Sequence, residues 1–142
     1  MVDFAKKWMP SRKPVHPAWE SAGAPILVAE PVLEDVKHAV RCLAPLGRPV
    51  RVAMSAEEVI DLVRREIIDR AVVATELSLG GDPVIARLTQ LPLMKQVIAT
   101  GPANDPAMEV RARAAGAQVY LPRPVSPEDL RRALEPIGVG QA

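Results

Sequence analysis

The chain reads as an α/β domain with a parallel sheet wrapped by helices, and three features of the sequence predict it. Five short apolar runs recur between residues 26 and 121, separated by segments whose apolar residues fall at helical spacing. Each run ends on a polar residue or a sharp break: Glu30-Pro31, Ser55, Glu76, Thr100 and Arg123-Pro124. Runs this short and this apolar suit strands buried on both faces, which parallel βα units produce. Ligands of such sheets bind in the crevice at the carboxyl ends of the strands, so these five positions outline a candidate site.

The elements follow in order. Ile26-Leu27-Val28-Ala29 is the first strand, and Leu33, Val36, Val40 and Leu43 mark the buried face of a helix that stops near Gly47. Val50 to Met54 is the second strand. It leads into Ser55-Ala56-Glu57-Glu58, where the spacing of Ser55 and Glu58 predicts a capping box for a helix buried through Val59, Ile60, Leu62 and Val63. The third run, Ala71 to Thr75, ends at Glu76 and opens into a stretch too rich in glycine, at Gly80-Gly81, to continue a strand or a helix. Pro83 and Pro92 bracket the next segment and predict a short third helix. Val97 to Thr100 is the fourth strand, followed by a helix from about Pro106 to Ala115 that Gly116 ends. Gln118 to Leu121 is the fifth strand. Ser126 then caps a last helix with Pro127 at its first position, where the missing amide costs nothing.

Residues 1–25 differ in kind. Prolines at 10, 14, 17 and 25 prevent a long helix or central strand, and three of the four aromatic residues, Phe4, Trp8 and Trp19, fall in this stretch. It reads as an arm, either a loose flanking tail or a segment that packs on the domain or a partner, with Phe4 and Trp8 placed to share one face of a short turn. Residues 26–138 form the domain and 139–142 a tail.

Composition excludes several function classes. A length of 142 residues suits one domain, which at this size buries roughly 70% of its unfolded surface. With 18 basic and 17 acidic residues the formal charge is +1, which offers no footprint for nucleic acid or an anionic membrane. No apolar stretch has the length of a membrane span, and the start of the chain lacks a secretory signal core. Cys42 has no disulfide partner and is expected to be a small core residue, so a cytoplasmic location is expected. His16 and His38 share no spacing with an acid or cysteine cluster, and no serine sits in a nucleophile elbow. No independent enzymatic activity is expected.

Residues Ile26 to about Ile137 resemble the receiver domain of bacterial response regulators, which have a flavodoxin-like fold. The strongest local match is Tyr120-Leu121-Pro122-Arg123-Pro124-Val125-Ser126-Pro127-Glu128-Asp129-Leu130, which is similar to the family's fifth strand, its Lys-Pro dipeptide and the cap of its last helix. Glu76-Leu77-Ser78-Leu79 resembles the phosphoacceptor stretch, and Val97 to Gly101 the fourth strand with its switch hydroxyl, here Thr100. The resemblance implies strand order 2-1-3-4-5, a cis bond between Arg123 and Pro124, and a switch aromatic at Tyr120.

The departures from the family pattern fall on the reacting groups. The acceptor aspartate is matched by Glu76, whose extra methylene pushes the carboxylate further into the pocket. The paired acids that hold Mg²⁺ are matched by Glu30 and Pro31, so one ligand is lost and any Mg²⁺ site is weak. The family lysine is matched by Arg123, a permanent cation with a planar fork that is able to pair with Glu76 or Glu30. The expectation is a pseudo-receiver: a stand-alone interaction module with a degenerate phosphoacceptor pocket at Glu30, Pro31, Glu76, Thr100 and Arg123 and no cofactor. The alternatives are a phosphorylatable regulator that uses Glu76, or less plausibly Asp82, and a nucleotide or small-molecule sensor in the same crevice. No output domain is expected after the last helix, so the partner is a protein. It would meet the fourth-helix, fifth-strand and fifth-helix face, roughly Ala107 to Ala115, Gln118 to Leu121 and Ser126 to Leu134, or else the arm. A homodimer is a further possibility.

Overall fold

The computed structural model describes residues 23–134. Most of the arm, including Phe4, Trp8 and Trp19, lies outside the described residues, as do positions 135–138 of the expected domain and the tail at 139–142. The main sheet contains β1 (Ile26–Ala29), β2 (Val50–Ala53), β3 (Arg70–Ala74), β6 (Gln96–Gly101) and β7 (Val119–Pro122). These strands lie in the order β2-β1-β3-β6-β7, all parallel, which is 2-1-3-4-5 once the small hairpin described below is left out. Among the described residues five α-helices flank the sheet: α1 (Leu33–Leu43), α2 (Ala56–Arg65), α3 (Val84–Leu88), α4 (Pro106–Ala114) and α5 (Pro127–Ala133).

Two apolar layers sandwich the sheet. On one side Ile26, Val28, Val72 and Ile98 pack against Ala39, Cys42, Leu43, Leu130 and Leu134 of the α1 and α5 layer. On the other, Leu27, Ala29, Val73 and Ala99 meet Val59, Leu62, Ile85 and Leu88. The alternation of a strand's side chains between faces produces this division, and it explains why the three central strands read as unbroken apolar runs. The edge strand β2 is less covered, with Val52 exposed.

The helix caps form close to expectation. Ser55 Oγ accepts from the Glu58 amide at 3.1 Å, while Glu58 Oε1 returns to the amide of Met54, one residue before the cap, at 2.7 Å. Ser126 Oγ accepts from the Asp129 amide at 3.2 Å. Asp105 caps α4 through the Met108 amide. Cys42 is buried as a small core residue.

Two local readings change. Leu33 is half-exposed, and the buried stripe of α1 runs instead through Val36, Ala39, Cys42 and Leu43, because the helix begins at Leu33 and its first turn faces the carboxyl edge of the sheet. Residues 78–83 are not featureless: β4 (Ser78–Leu79) and β5 (Asp82–Pro83) form a small antiparallel hairpin. Gly80 and Gly81 make its two-residue turn at φ +60° and +89°, the mirror-image conformation such hairpins need. The glycine pair therefore serves a turn, and its geometry is not that of a phosphate cradle. The hairpin takes up chain that would otherwise extend α3, which is five residues long.

Candidate functional site

The residues at the carboxyl ends of β1, β3, β6 and β7 converge on one guanidinium. Arg123 follows β7 directly, and its backbone amide bonds to Gly101 O at 2.9 Å, which ties the end of β7 to β6. From there its side chain crosses the top of the sheet. Arg123 Nη1 donates to Glu76 Oε1 at 3.1 Å, to Glu30 Oε1 at 3.2 Å and to Thr100 Oγ1 at 3.3 Å, while Nη2 engages Glu76 Oε2. Strands lie about 4.8 Å apart, so β7 and β1 are about 14 Å apart across β6 and β3. Only two long side chains meet over that span. The extra methylene of Glu76 likewise shortens the distance to Arg123, and its two oxygens take the planar fork as a pair.

Glu30 is the buried member, with its side chain 2% exposed. Thr100 Oγ1 donates to its Oε2 at 2.5 Å. Burial pushes the Glu30 carboxyl above its ordinary range, against the opposing pull of the Thr100 hydrogen bond and the Arg123 charge. Burial works to lower Arg123, but the hydrogen bond with Glu76 and the charges of Glu30, Glu76 and Asp35 outweigh it, so the guanidinium is held even more firmly protonated than usual. Thr100 is itself fixed from behind: the amide and hydroxyl of Thr75 both bond to its carbonyl at 2.9 Å.

Tyr120 stands apart from this cluster. Its hydroxyl donates to Pro102 O at 2.9 Å, and its half-buried ring lies against Gly101, where any Cβ would press into the ring at 2.8 Å. Burial, followed by the charges of Asp105 and Glu76, raises its phenol. The peptide bond between Arg123 and Pro124 is cis. Pro31 is exposed beside Glu30, and its side chain carries no oxygen ligand. Asp82 sits on the outer hairpin, exposed.

Asp35 was missed in the sequence. It lies in the first turn of α1 with its Oδ2 3.9 Å from Arg123 Nε, making three carboxylates around one guanidinium. Acids in a first turn ordinarily complement the helix dipole, so its position carried no separate signal. Thr75 was also missed; the available signal was a hydroxyl inside an otherwise apolar run. Among the described residues no group of three acid, histidine or cysteine side chains is arranged to hold a metal ion. His38 is half-buried and meets Val125 O through Nε2 at 2.7 Å, on the α1 and α5 side rather than in the crevice.

This arrangement defines a class of fold before it defines a chemistry: a five-stranded parallel sheet with its polar residues gathered at one edge, as in receiver domains. Solved structures carry the same fold. A candidate response regulator from Chloroflexus aurantiacus J-10-fl superimposes with a TM-score of 0.71 at 23% identity, covering 80% of this chain and 96% of that one. The signal receiver domain of an HD domain-containing protein from Pseudomonas fluorescens Pf-5 gives 0.70 at 22%, covering 80% and 92%. The receiver domain of Ssk1 from Saccharomyces cerevisiae, solved with the histidine phosphotransfer protein Ypd1, gives 0.67 at 14%, covering 79% and 86%. No protein-family model matches the sequence, and no curated protein matches it either. The chain has the receiver-domain fold.

Proposed function

We propose that this chain is a pseudo-receiver, a signalling module that works through protein contacts and takes no phosphoryl group. The observation that carries the reading is the Arg123 guanidinium seated among Glu76, Glu30 and Thr100, with both Glu76 oxygens engaged. A phosphoryl donor would have to displace a charge-assisted pair to reach Glu76, and Pro31 withholds a side-chain ligand from the Mg²⁺ that neutralises charge in such transfers. The Glu76 and Arg123 pair holds the crevice in one shape, with less negative charge than a phosphorylated aspartate would bring. The chain acts in the cytoplasm, with no catalytic activity of its own.

Its output is a protein contact on α4, β7 and α5, and Val110, 65% exposed on α4, gives that face an apolar anchor. Addition of beryllofluoride and Mg²⁺, which mimic a phosphorylated carboxylate, is expected to leave the backbone amide spectrum of the protein unchanged. Mg²⁺-dependent shifts clustered on Glu76, Thr100 and Tyr120 would overturn the reading and restore the phosphorylatable regulator.

A further inference from the structure

Strand β2 forms one edge of the main sheet, and β7, which belongs to the proposed output face, forms the other. The bonds between β1 and β2 use alternate residues of β2: the Ile26 amide bonds to Pro49 O at 2.8 Å and the Glu30 amide to Ala53 O at 3.1 Å. By that alternation Pro49, Arg51 and Ala53 turn their backbone groups toward β1, while those of Val50 and Val52 point away from the sheet. The donor that Pro49 lacks is therefore missing on the β1 side, and the proline does not block the open edge. Among the described residues no group bonds to the Val52 amide or carbonyl, and Val50 O receives only a 3.5 Å contact from Arg51 Nη1.

Open edges recruit further strands unless a charge, a proline or a bulge prevents it. The one charge on β2, Arg51, is engaged with Glu66 at 2.7 Å. Val52 pairs with Val28, so it lies on the face of the sheet that α1 and α5 cover, yet it is 43% exposed. Met54, just beyond the strand, is 36% exposed. The edge thus offers both a free backbone and uncovered apolar side chains.

We infer that two copies of this chain join along β2, antiparallel and in register about Val52, so that one continuous sheet runs through both. The segment Val50-Arg51-Val52-Ala53-Met54 is its own complement in that register. Val52 faces Val52 of the second copy and exchanges amide and carbonyl bonds with it, Val50 faces Met54, and Arg51 faces the small Ala53. A register centred on Arg51 would instead set two guanidinium groups directly opposite each other, which is unfavourable. The antiparallel arrangement is two-fold symmetric and closes at two copies. A strand of four residues makes a small interface, so the dimer is weak and concentration-dependent. The α4, β7 and α5 face stays open in each copy.

The test is sedimentation of the full chain over a concentration series up to the millimolar range, with hydrogen exchange of the Val52 amide at both ends of it. A rise toward the mass of a dimer is expected, with Val52 exchange slowed several-fold at high concentration, and Val52→Lys is expected to weaken the dimer several-fold. Val52 is exposed, so this variant keeps its fold, which circular dichroism checks. An antiparallel bonded pair holds its Cα atoms about 5.5 Å apart, within disulfide range, so Val52→Cys is expected to form a covalent dimer under mild oxidation while Val110→Cys on α4 does not. The wild type is the blank, its Cys42 being buried. A monomer throughout the series would overturn the inference, as would a dimer indifferent to Val52→Lys or cross-linked equally well through Val110→Cys. Val52 protection that does not change with concentration would overturn it too, by showing that the edge is covered within a single chain.

Discussion

At the residue scale the crevice depends on Arg123. Its removal leaves Glu30 buried without its cation and Glu76 without its partner, which costs far more than an exposed pair would. Arg123→Ala is expected to lower unfolding stability by about 2–3 kcal/mol in urea titration, discounted from a fully buried pair because the guanidinium is 18% exposed. Glu30 has a signature of its own. Its carboxyl is raised above 4.5 in the folded protein, so between that value and the raised one the native state binds more protons than the unfolded chain. Stability linked to Glu30 is therefore fully present below about 4.5 and is lost as pH rises through the folded value. Wild-type stability relative to Glu30→Gln is expected to fall with rising pH across that window. A difference that rises instead would show the Arg123 charge, not burial, to dominate Glu30. Glu30, Glu76, Thr100 and Arg123 were all legible as polar ends of apolar runs, but nothing in their spacing showed that they meet on one side chain. That meeting depends on strand order, which periodicity does not encode, and Asp35 joins them only because α1 packs its first turn over the same edge.

Local chemistry makes its own claims at the scale of the element. The caps were readable because a cap is a short-range bargain between a side chain and an amide three residues on, needing no tertiary partner. Ser55→Ala is expected to cost about 1 kcal/mol, read from the thermal midpoint, by freeing the Glu58 amide at the start of α2. The hairpin β4 and β5 was not readable. Its strands are two residues each, too short for any alternation to show, and one of them ends on Pro83. Its turn does obey a local rule, since Gly80 and Gly81 both lie at positive φ. Gly81→Ala is expected to lose about 1 kcal/mol with the crevice unaffected, because the hairpin stands on the outside of the site. The first turn of α1 was misread for the converse reason: helical periodicity is blind to where a helix begins, and Leu33 fell on the right phase outside the packed turns.

For the whole molecule, the alternation of strand and helix was legible because the two apolar layers force every central strand to be apolar on both faces. The site's position followed from the same architecture, as the carboxyl edge of a parallel sheet. Its activity did not, because a likeness at 14 to 23% identity establishes a shared backbone and says nothing of a shared chemistry. In the function proposed above, it is the Arg123 guanidinium seated on Glu76 and Glu30 that withholds phosphoryl transfer. The most direct test is intact mass after incubation with acetyl phosphate and Mg²⁺, with an active receiver domain as positive control. The unmodified mass is predicted for this protein under conditions that phosphorylate the control. A Mg²⁺-dependent gain of one phosphoryl group, lost in Glu76→Gln, would contradict the account.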